Sequence, residues 1–255
     1  MLYNNLRGIT AWGPGIREKS GWRKWFSEPY LFADTATDEA NLTPPLEELS
    51  KREKRRISRL SSIALESAFN ICPKEERGEI ETVFATRHGE IDTTIKLLYE
   101  IAGKEPVSPF KFSHSVHNTP ASHFSILSSN RSPSTTISGK DATFHSGYVE
   151  AAQRAHVKNK DILYIYCDIM LPNELMGFDD NQPFPLSIGM IITPEKEGKG
   201  ISFQFKSYSI DKVIPYQPLE FLKWCVFDRK PELTQITEKG AYVWKKKTMK
   251  FVEYV

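Results

Sequence analysis

The sequence predicts an α/β fold, a mixed and mostly parallel sheet covered by helices. Short β-branched runs alternate with segments of helical spacing through most of the chain, the pattern left by crossover helices between parallel strands. A late pair of strand-like runs, residues 186–193 and 200–208, is joined by Glu197-Gly198-Lys199-Gly200. It reads as a hairpin and requires at least one antiparallel edge. With 255 residues, 40% of them hydrophobic, the chain can bury one large core.

The elements follow in order. Leu6 to Trp12 reads as a first strand, stopped by Gly13-Pro14-Gly15. Residues 16–26 suit a short helix with Trp22, Trp25 and Phe26 on its apolar side, and residues 27–45, rich in Pro, Asp and Thr, suit a long surface loop. Across residues 46–71 apolar side chains recur at three and four, which predicts a helix ended by Cys72-Pro73. Thr82 to Thr86 is strand-like, and Ile91 to Ala102 is helical and closed by Gly103. Residues 112–117 read as extended and 119–128 as helical. Ser134 to Ser138 forms a β-branched strand that runs through a small-residue turn into a helix near 142–156. Residues 162–169 are a buried strand, and a helix near 218–227 and a strand near 240–253 finish the chain.

Composition excludes several classes of function. A formal charge of +2 is too small to argue for nucleic acid. No apolar run reaches the roughly 18–20 residues of a membrane span, and the first ten residues lack a signal-peptide layout. The three cysteines, Cys72, Cys167 and Cys225, are far apart and lack CxxC spacing. They predict free thiols in a reducing cytoplasm, with no metal site and no cofactor.

Four segments invite chemistry. The strand–turn–helix over 133–152 is the arrangement that holds a nucleophile at a helix N-terminus, where the dipole stabilises an anion. The residue at its corner is Asp141. A carboxylate there cannot carry an acyl chain as a thioester, but it can cap the helix. His114, His117 and His123 suggest a metal. On an extended segment, however, His114 and His117 point to opposite faces, and no acidic residue lies among them. A Ser-His-Asp hydrolase lacks its GxSxG elbow, and His145-Ser146-Gly147 is too short to specify one. The run Lys51-Arg52-Glu53-Lys54-Arg55-Arg56 reads first as a solvated helix face, and next as a dock for an acidic carrier protein.

In chain order, Ile9 to Gly15, Ala85 to Thr94, Ser108 to Ile126 and Pro133 to Ala152 together resemble the N-terminal half of β-ketoacyl synthases, the thiolase-like condensing enzymes. The resemblance covers about residues 6–210. It implies a single domain over 1–255, a thiolase-like half-fold truncated relative to full ketosynthases, with residues 211–255 as a C-terminal extension. Condensing enzymes carry a cysteine where this sequence has Asp141, and two histidines from a C-terminal half for which this chain has no room. Thr86-Arg87-His88-Gly89-Glu90 and Ser115-Val116-His117-Asn118 are similar to phrases of the chain-length factors of aryl polyene pigment clusters. The resemblance therefore implies a non-catalytic subunit that forms a heterodimer with a full-length β-ketoacyl synthase and meets the acyl carrier protein only indirectly. It also implies an interface built on Ser134, Thr135, Thr136, Ile137 and Ser138, with His117 and Asn118 beside it. Thr94, Leu97, Leu98 and Ile101, which share a helix face, are the implied wall of the acyl tunnel. The alternatives are an acyl-thioester hydrolase or transferase using Asp141 with His117 or His145, and a carrier-protein binding module. A truncated half also leaves one helix layer uncovered, and either a partner or residues 211–255 must cover it.

Overall fold

The computed structural model describes residues 3–29, 43–178, 182–195, 200–207, 216–237, 240–246 and 253–254. The strands are β1 (Tyr3–Trp12), β2 (Glu81–Ala85), β3 (Ser134–Ile137), β4 (Ile162–Asp168), β5 (Leu186–Pro194), β6 (Ile201–Ser207), β7 (Glu232–Thr237), β8 (Gly240–Lys246) and β9 (Glu253–Tyr254). The helices are α1 (Lys19–Ser27), α2 (Lys51–Lys54), α3 (Arg59–Ile71), α4 (Ile91–Ala102), α5 (Pro109–Ser113), α6 (Thr119–Leu127), α7 (Thr143–Lys158) and α8 (Gln217–Phe227).

One sheet runs β3-β2-β4-β5-β1-β6-β8-β7, with β9 added beside β1. β3, β2 and β4 pair in parallel, and β5 runs against both β4 and β1. Among the first five strands of the order, only β5 is therefore reversed. The continuation through β6, β8 and β7 is antiparallel throughout, a larger antiparallel share than strand–helix alternation suggests. Alternation reports the crossovers around β2, β3 and β4. It does not report the return from β4 to β5, which is made without a long helix.

The period of two along β4 divides the core. Ile162, Tyr164 and Tyr166 belong to one apolar cluster, with Phe144 and Tyr148 of α7 and Phe221 of α8. Leu163, Ile165 and Cys167 belong to the other, with Leu60, Ile63 and Phe124 of α3 and α6. Helices thus cover both faces. α7 is held close to the sheet by Gly147, where a Cβ would stand 2.6 Å from the Tyr164 ring and 2.7 Å from the Ala85 Cβ. That contact explains the glycine of the His145-Ser146-Gly147 triplet. The apolar face of α7 also meets the chain's own later residues. Trp244 of β8 packs edge-on against Tyr148 at 4.6 Å and Phe221 lies 5.1 Å from Phe144, ring centre to ring centre.

Four expectations change. The helix expected over 46–71 is two helices broken at residues 55–58. Ser50 caps α2 in a full capping box with Glu53, and Ser58 caps α3 by accepting from the Ser61 N–H. Residues 112–117 are not extended. Ser108 caps α5, Pro109 fills its first turn, and a turn follows. Residues 186–193 and 200–208 do not pair as a hairpin, because the start of β1 lies between them: Asn4 faces both Pro194 and Ile201. Their connecting residues 197–199 lie outside the described residues, as does most of the loop expected over 27–45. Finally, the strand expected over 240–253 is β8 and β9, with 247–252 outside the described residues, and β7 precedes it with no counterpart in the sequence reading.

Candidate functional site

The C-terminal ends of β2, β3 and β4 lie side by side, with Ala85 opposite both Ile137 and Tyr166. The chain leaves these ends through residues 86–90, 138–142 and 169 onward. Asp168 at the end of β4 organises the first of these exits. It is buried and accepts from the Thr86 hydroxyl at 2.9 Å and from the Arg87 N–H at 2.9 and 3.1 Å. Burial pushes its pKa up to about 6, against the pull of the Tyr166 and Thr86 hydroxyls and the Arg87 and His88 amides. The Thr86 hydroxyl in turn accepts from the Gly89 N–H at 3.0 Å. Gly89 has φ +60°, and the His117 ring lies 3.0 Å from where its Cβ would be. A side chain there would be both strained and obstructed.

Glu90 closes the same loop. Its carboxylate accepts from Ser58 at 2.6 Å and Ser61 at 2.9 Å, which fastens the start of α3 to the start of α4. Burial pushes its pKa up to about 7, although the two hydroxyls lower it. The sequence reading missed Asp168 and Glu90 as organisers. The one legible signal was a lone acid ending the apolar run Ile162 to Cys167.

The corner between β3 and α7 is a short 3-10 turn, Lys140–Ala142, followed directly by α7. Asp141 lies inside that turn, half-buried, one residue before Ala142 in the capping position. The hydroxyl of Thr143 holds the turn: it accepts from the Gly139 N–H at 2.9 Å and donates to the Lys140 carbonyl at 2.7 Å. Ser138 donates to the Arg87 carbonyl at 2.9 Å, which joins this corner to the loop after β2. No cysteine lies in the corner. Cys72, Cys167 and Cys225 are buried elsewhere, and burial raises the thiol pKa of each, to about 11 for Cys72 and about 12 for Cys225. The next residue into the core, His145, is sealed from solvent. Its Nε2 lies 3.1 Å from the Gln235 Oε1, its ring stacks on Tyr242 at 4.0 Å, and burial lowers its pKa to about 3.

The other histidines separate in an unexpected way. With residues 109–113 helical, the His114 and His123 rings approach to 5.3 Å, while His117 sits against Gly89. The His114 Nδ1 lies 2.8 Å from the Phe110 carbonyl oxygen. His123 is buried, which lowers its pKa to about 4. Among the described residues, no group of three metal-type side chains converges.

The tunnel-wall candidates divide. Leu97 is buried, whereas Leu98 is 54% and Ile101 57% exposed. The Thr94 hydroxyl donates to the Glu90 carbonyl at 3.0 Å. α4 packs against α5, and the two present Leu98, Tyr99, Ile101, Phe110 and Phe112 to solvent, an apolar concentration of the kind that marks an interaction surface. The interface candidates lie on the sheet's end strand. The Thr82 and Thr86 N–H groups donate to the carbonyls of Pro133 and Ile137. By the alternation of a strand, the N–H and C=O of Ser134 and Thr136 therefore face the open side. Asn118 is exposed at the start of α6.

This fold, with a strand–turn–helix corner over the parallel strand ends, defines a thiolase-like condensing-enzyme domain. Residues 22–241 match the family model for the β-ketoacyl synthase N-terminal domain, and the chain belongs to that family. Among solved structures, it superposes with a TM-score of 0.80 on one chain of the complex between the ketosynthase ApeO and its chain length factor ApeC from Xenorhabdus doucetiae. The identity is 20%, and the match covers 96% of this chain and 100% of that one. The ishigamide ketosynthase/chain length factor aligns with a TM-score of 0.56 at 14% identity, over 80% of this chain and 67% of that one. A β-ketoacyl synthase from Burkholderia phymatum aligns with a TM-score of 0.59 at 9% identity, over 89% and 71%. No curated protein matches the sequence at a significant level. No helix among the described residues is long and apolar enough to cross a membrane.

Proposed function

We propose that this chain, acting as one unit over residues 1–255, is a non-catalytic chain-length factor. In this reading it forms a heterodimer in the cytoplasm with an active β-ketoacyl synthase and shapes that enzyme's acyl tunnel during polyene or polyketide elongation. The observation that carries the reading is the corner at Asp141. It is a strand–turn–helix corner with Asp141 in the turn and no cysteine, and the side chain that holds it is Thr143. A carboxylate there has the wrong sign to stabilise an acyl oxyanion. The open edge of β3 and the apolar α4–α5 face supply a partner surface, and the full-length match to a chain of a ketosynthase–chain length factor complex supports the same partner class. Main-chain pairing at β3 together with burial of that face suits an obligate interface on the order of 2,000 Å² or more in total. Leu98 and Ile101 would then meet the partner or the end of the tunnel, and the acyl carrier protein would be reached through the pair.

The experiment is co-expression with a full-length ketosynthase from the same cluster, followed by size exclusion and mass spectrometry of carrier-bound products. The reading expects co-elution, no turnover of acyl thioesters by this chain alone, and product lengths that depend on its presence. Identical products from the ketosynthase without it would refute the reading.

A further inference from the structure

We infer that the cleft between α1, α8 and the start of β7 is a binding site for a small planar aromatic carboxylate. It is a cavity of about 440 Å³, within the range of small-molecule pockets. The buried Trp224 and the half-buried Phe26 and Phe227 line it, the two phenyl ring centres 6.1 Å apart. Aromatic walls favour a flat ring, which they meet by stacking or edge-on.

The rim is cationic. Lys223, Arg229 and Lys230 are exposed and line the same cavity. The Lys223 ammonium lies 5.9 Å from the Phe26 ring centre, and the Arg229 guanidinium 5.0 Å from that of Phe227. Among the described residues, none of these three cations has an ion pair. The acids of the lining do not cancel them. Glu232 is held by Lys245 at 2.8 Å, which leaves three cations facing Glu220. A ligand with one negative charge therefore meets cations without displacing an existing pair.

The frame is held before any ligand arrives. Glu220, Lys223, Trp224 and Phe227 recur at helical spacing and share one face of α8. The Trp224 Nε1–H donates to the Lys230 carbonyl at 2.8 Å. Asp228, left-handed at φ 50°, donates its N–H to the Trp224 carbonyl at 3.1 Å. The Lys246 ammonium lies 4.0 Å from the Trp224 ring centre and pairs with Asp228. The turn that carries Arg229 and Lys230 is thus tied to Trp224, and little ordering is left for binding to supply.

The same features narrow the ligand. The Arg229 fork matches a carboxylate. A nucleotide is the poorer fit, because α8 presents its C-terminal end here and Glu220 lines the cavity, and both disfavour several negative charges. β7 lies at the opposite end of the sheet from β3, so the cleft stays open when the β3 edge is paired. The site is independent of the function proposed above.

The test titrates 2-naphthoate by calorimetry into the full chain, alone and mixed with the ketosynthase. Indole N–H signals are followed by NMR, with Trp224→Phe identifying the Trp224 signal. The comparison ligands are naphthalene methanol, cyclohexane carboxylate and AMP. The variants are Arg229→Gln and Lys223→Gln/Arg229→Gln, with Lys206→Gln on β6 as the control, and thermal melts report folding. Naphthoate is expected to bind with a Kd below about 1 mM and to move the Trp224 signal. Arg229→Gln should weaken it about tenfold, the double variant more, and the control not at all. The neutral alcohol and the ringless acid should each bind about tenfold more weakly than naphthoate. A Kd above about 1 mM for the folded, unaltered chain would overturn the inference. So would affinity unchanged in the double variant, equal affinity for the alcohol, or tighter binding of AMP. A chain that bound naphthoate as expected but did not join the ketosynthase would refute the chain-length-factor reading and leave this site standing.

Discussion

Proline at residue 136 separates the two sides of β3. The Thr136 N–H faces the open side of the sheet, because the carbonyls of Pro133 and Ile137 are taken by β2. Proline is tolerated on an edge strand whose N–H faces outward, so Thr136→Pro should leave the isolated chain folded, with a melting temperature close to that of the unaltered protein. If a ketosynthase strand pairs with this edge, the substitution removes a main-chain donor and sets a ring against the partner backbone, about 3 kcal/mol. That is roughly a hundredfold in Kd. Thr135→Pro acts in the opposite sense. Its N–H faces β2, and its hydroxyl contacts Arg154 of α7, so the same order of energy is lost from the chain's own stability. The assay pairs thermal melts of each variant alone with sedimentation of each variant mixed with the ketosynthase. A Thr136→Pro chain that is well folded and binds the ketosynthase as tightly as the unaltered protein would refute the edge-strand interface.

Leu98→Ala should change the stability of the isolated chain by less than about 0.5 kcal/mol, as expected of an exposed side chain, while altering product length in the reconstituted pair. Leu97→Ala, in the core, should cost about 2–5 kcal/mol in a denaturant melt. Thr143→Ala should destabilise the chain by about 1–2 kcal/mol, more than Asp141→Ala, because the Thr143 hydroxyl both accepts and donates at the corner; equal losses in chemical denaturation would contradict that division of roles. Asp168 gives a pH test. Its folded pKa is raised from 3.8 to about 6, so the folded state keeps the proton longer than the unfolded chain does. The stability contributed by the neutral carboxyl is complete below pH 3.8 and is lost as pH rises through about 6. Relative to Asp168→Asn, the unaltered chain should lose on the order of 3 kcal/mol across that window; using the difference removes the opposing titration of His123 and His145. A difference that stays flat with pH would contradict the burial argument.

Much of the architecture was legible because its signals are periodic. Ile91 to Ala102 carries a helical repeat closed by Gly103, and the observed helix has those bounds. The buried strand at 162–168 shows as a continuous apolar run because both of its faces are covered. Other elements were obscured by weaker or competing signals. The break between α2 and α3 was hidden by apolar spacing that continues across it, although Ser50-x-x-Glu53 was a readable cap. β7 reads Glu-Leu-Thr-Gln-Ile-Thr, too polar to stand out, yet it supplies Gln235 to His145. The false hairpin over 186–208 followed a good turn signal, and only a strand from the other end of the chain displaced it. At the site, the carboxylate at the corner between β3 and α7 was plain from the sequence. The roles of Asp168, Glu90 and Thr143 were not, because each depends on a hydrogen bond whose partner is set by the tertiary fold.

The position of β1 bears on how the protein is made. Its neighbours are β5, β6 and β9, all encoded after residue 185. The parallel strands and the helices over them can close once residue 168 has emerged, but Ile9, Ala11 and Trp12 must wait for partners. At about 5–20 residues per second, that wait is on the order of ten to thirty seconds. Through it, a ribosome-bound chain displays an apolar strand with both edges open, the state most exposed to aggregation. A chaperone that binds nascent chains should therefore engage the first strand, and ribosome-stalled chains from which residue 186 has not emerged should retain it while chains from which residue 194 has emerged release it.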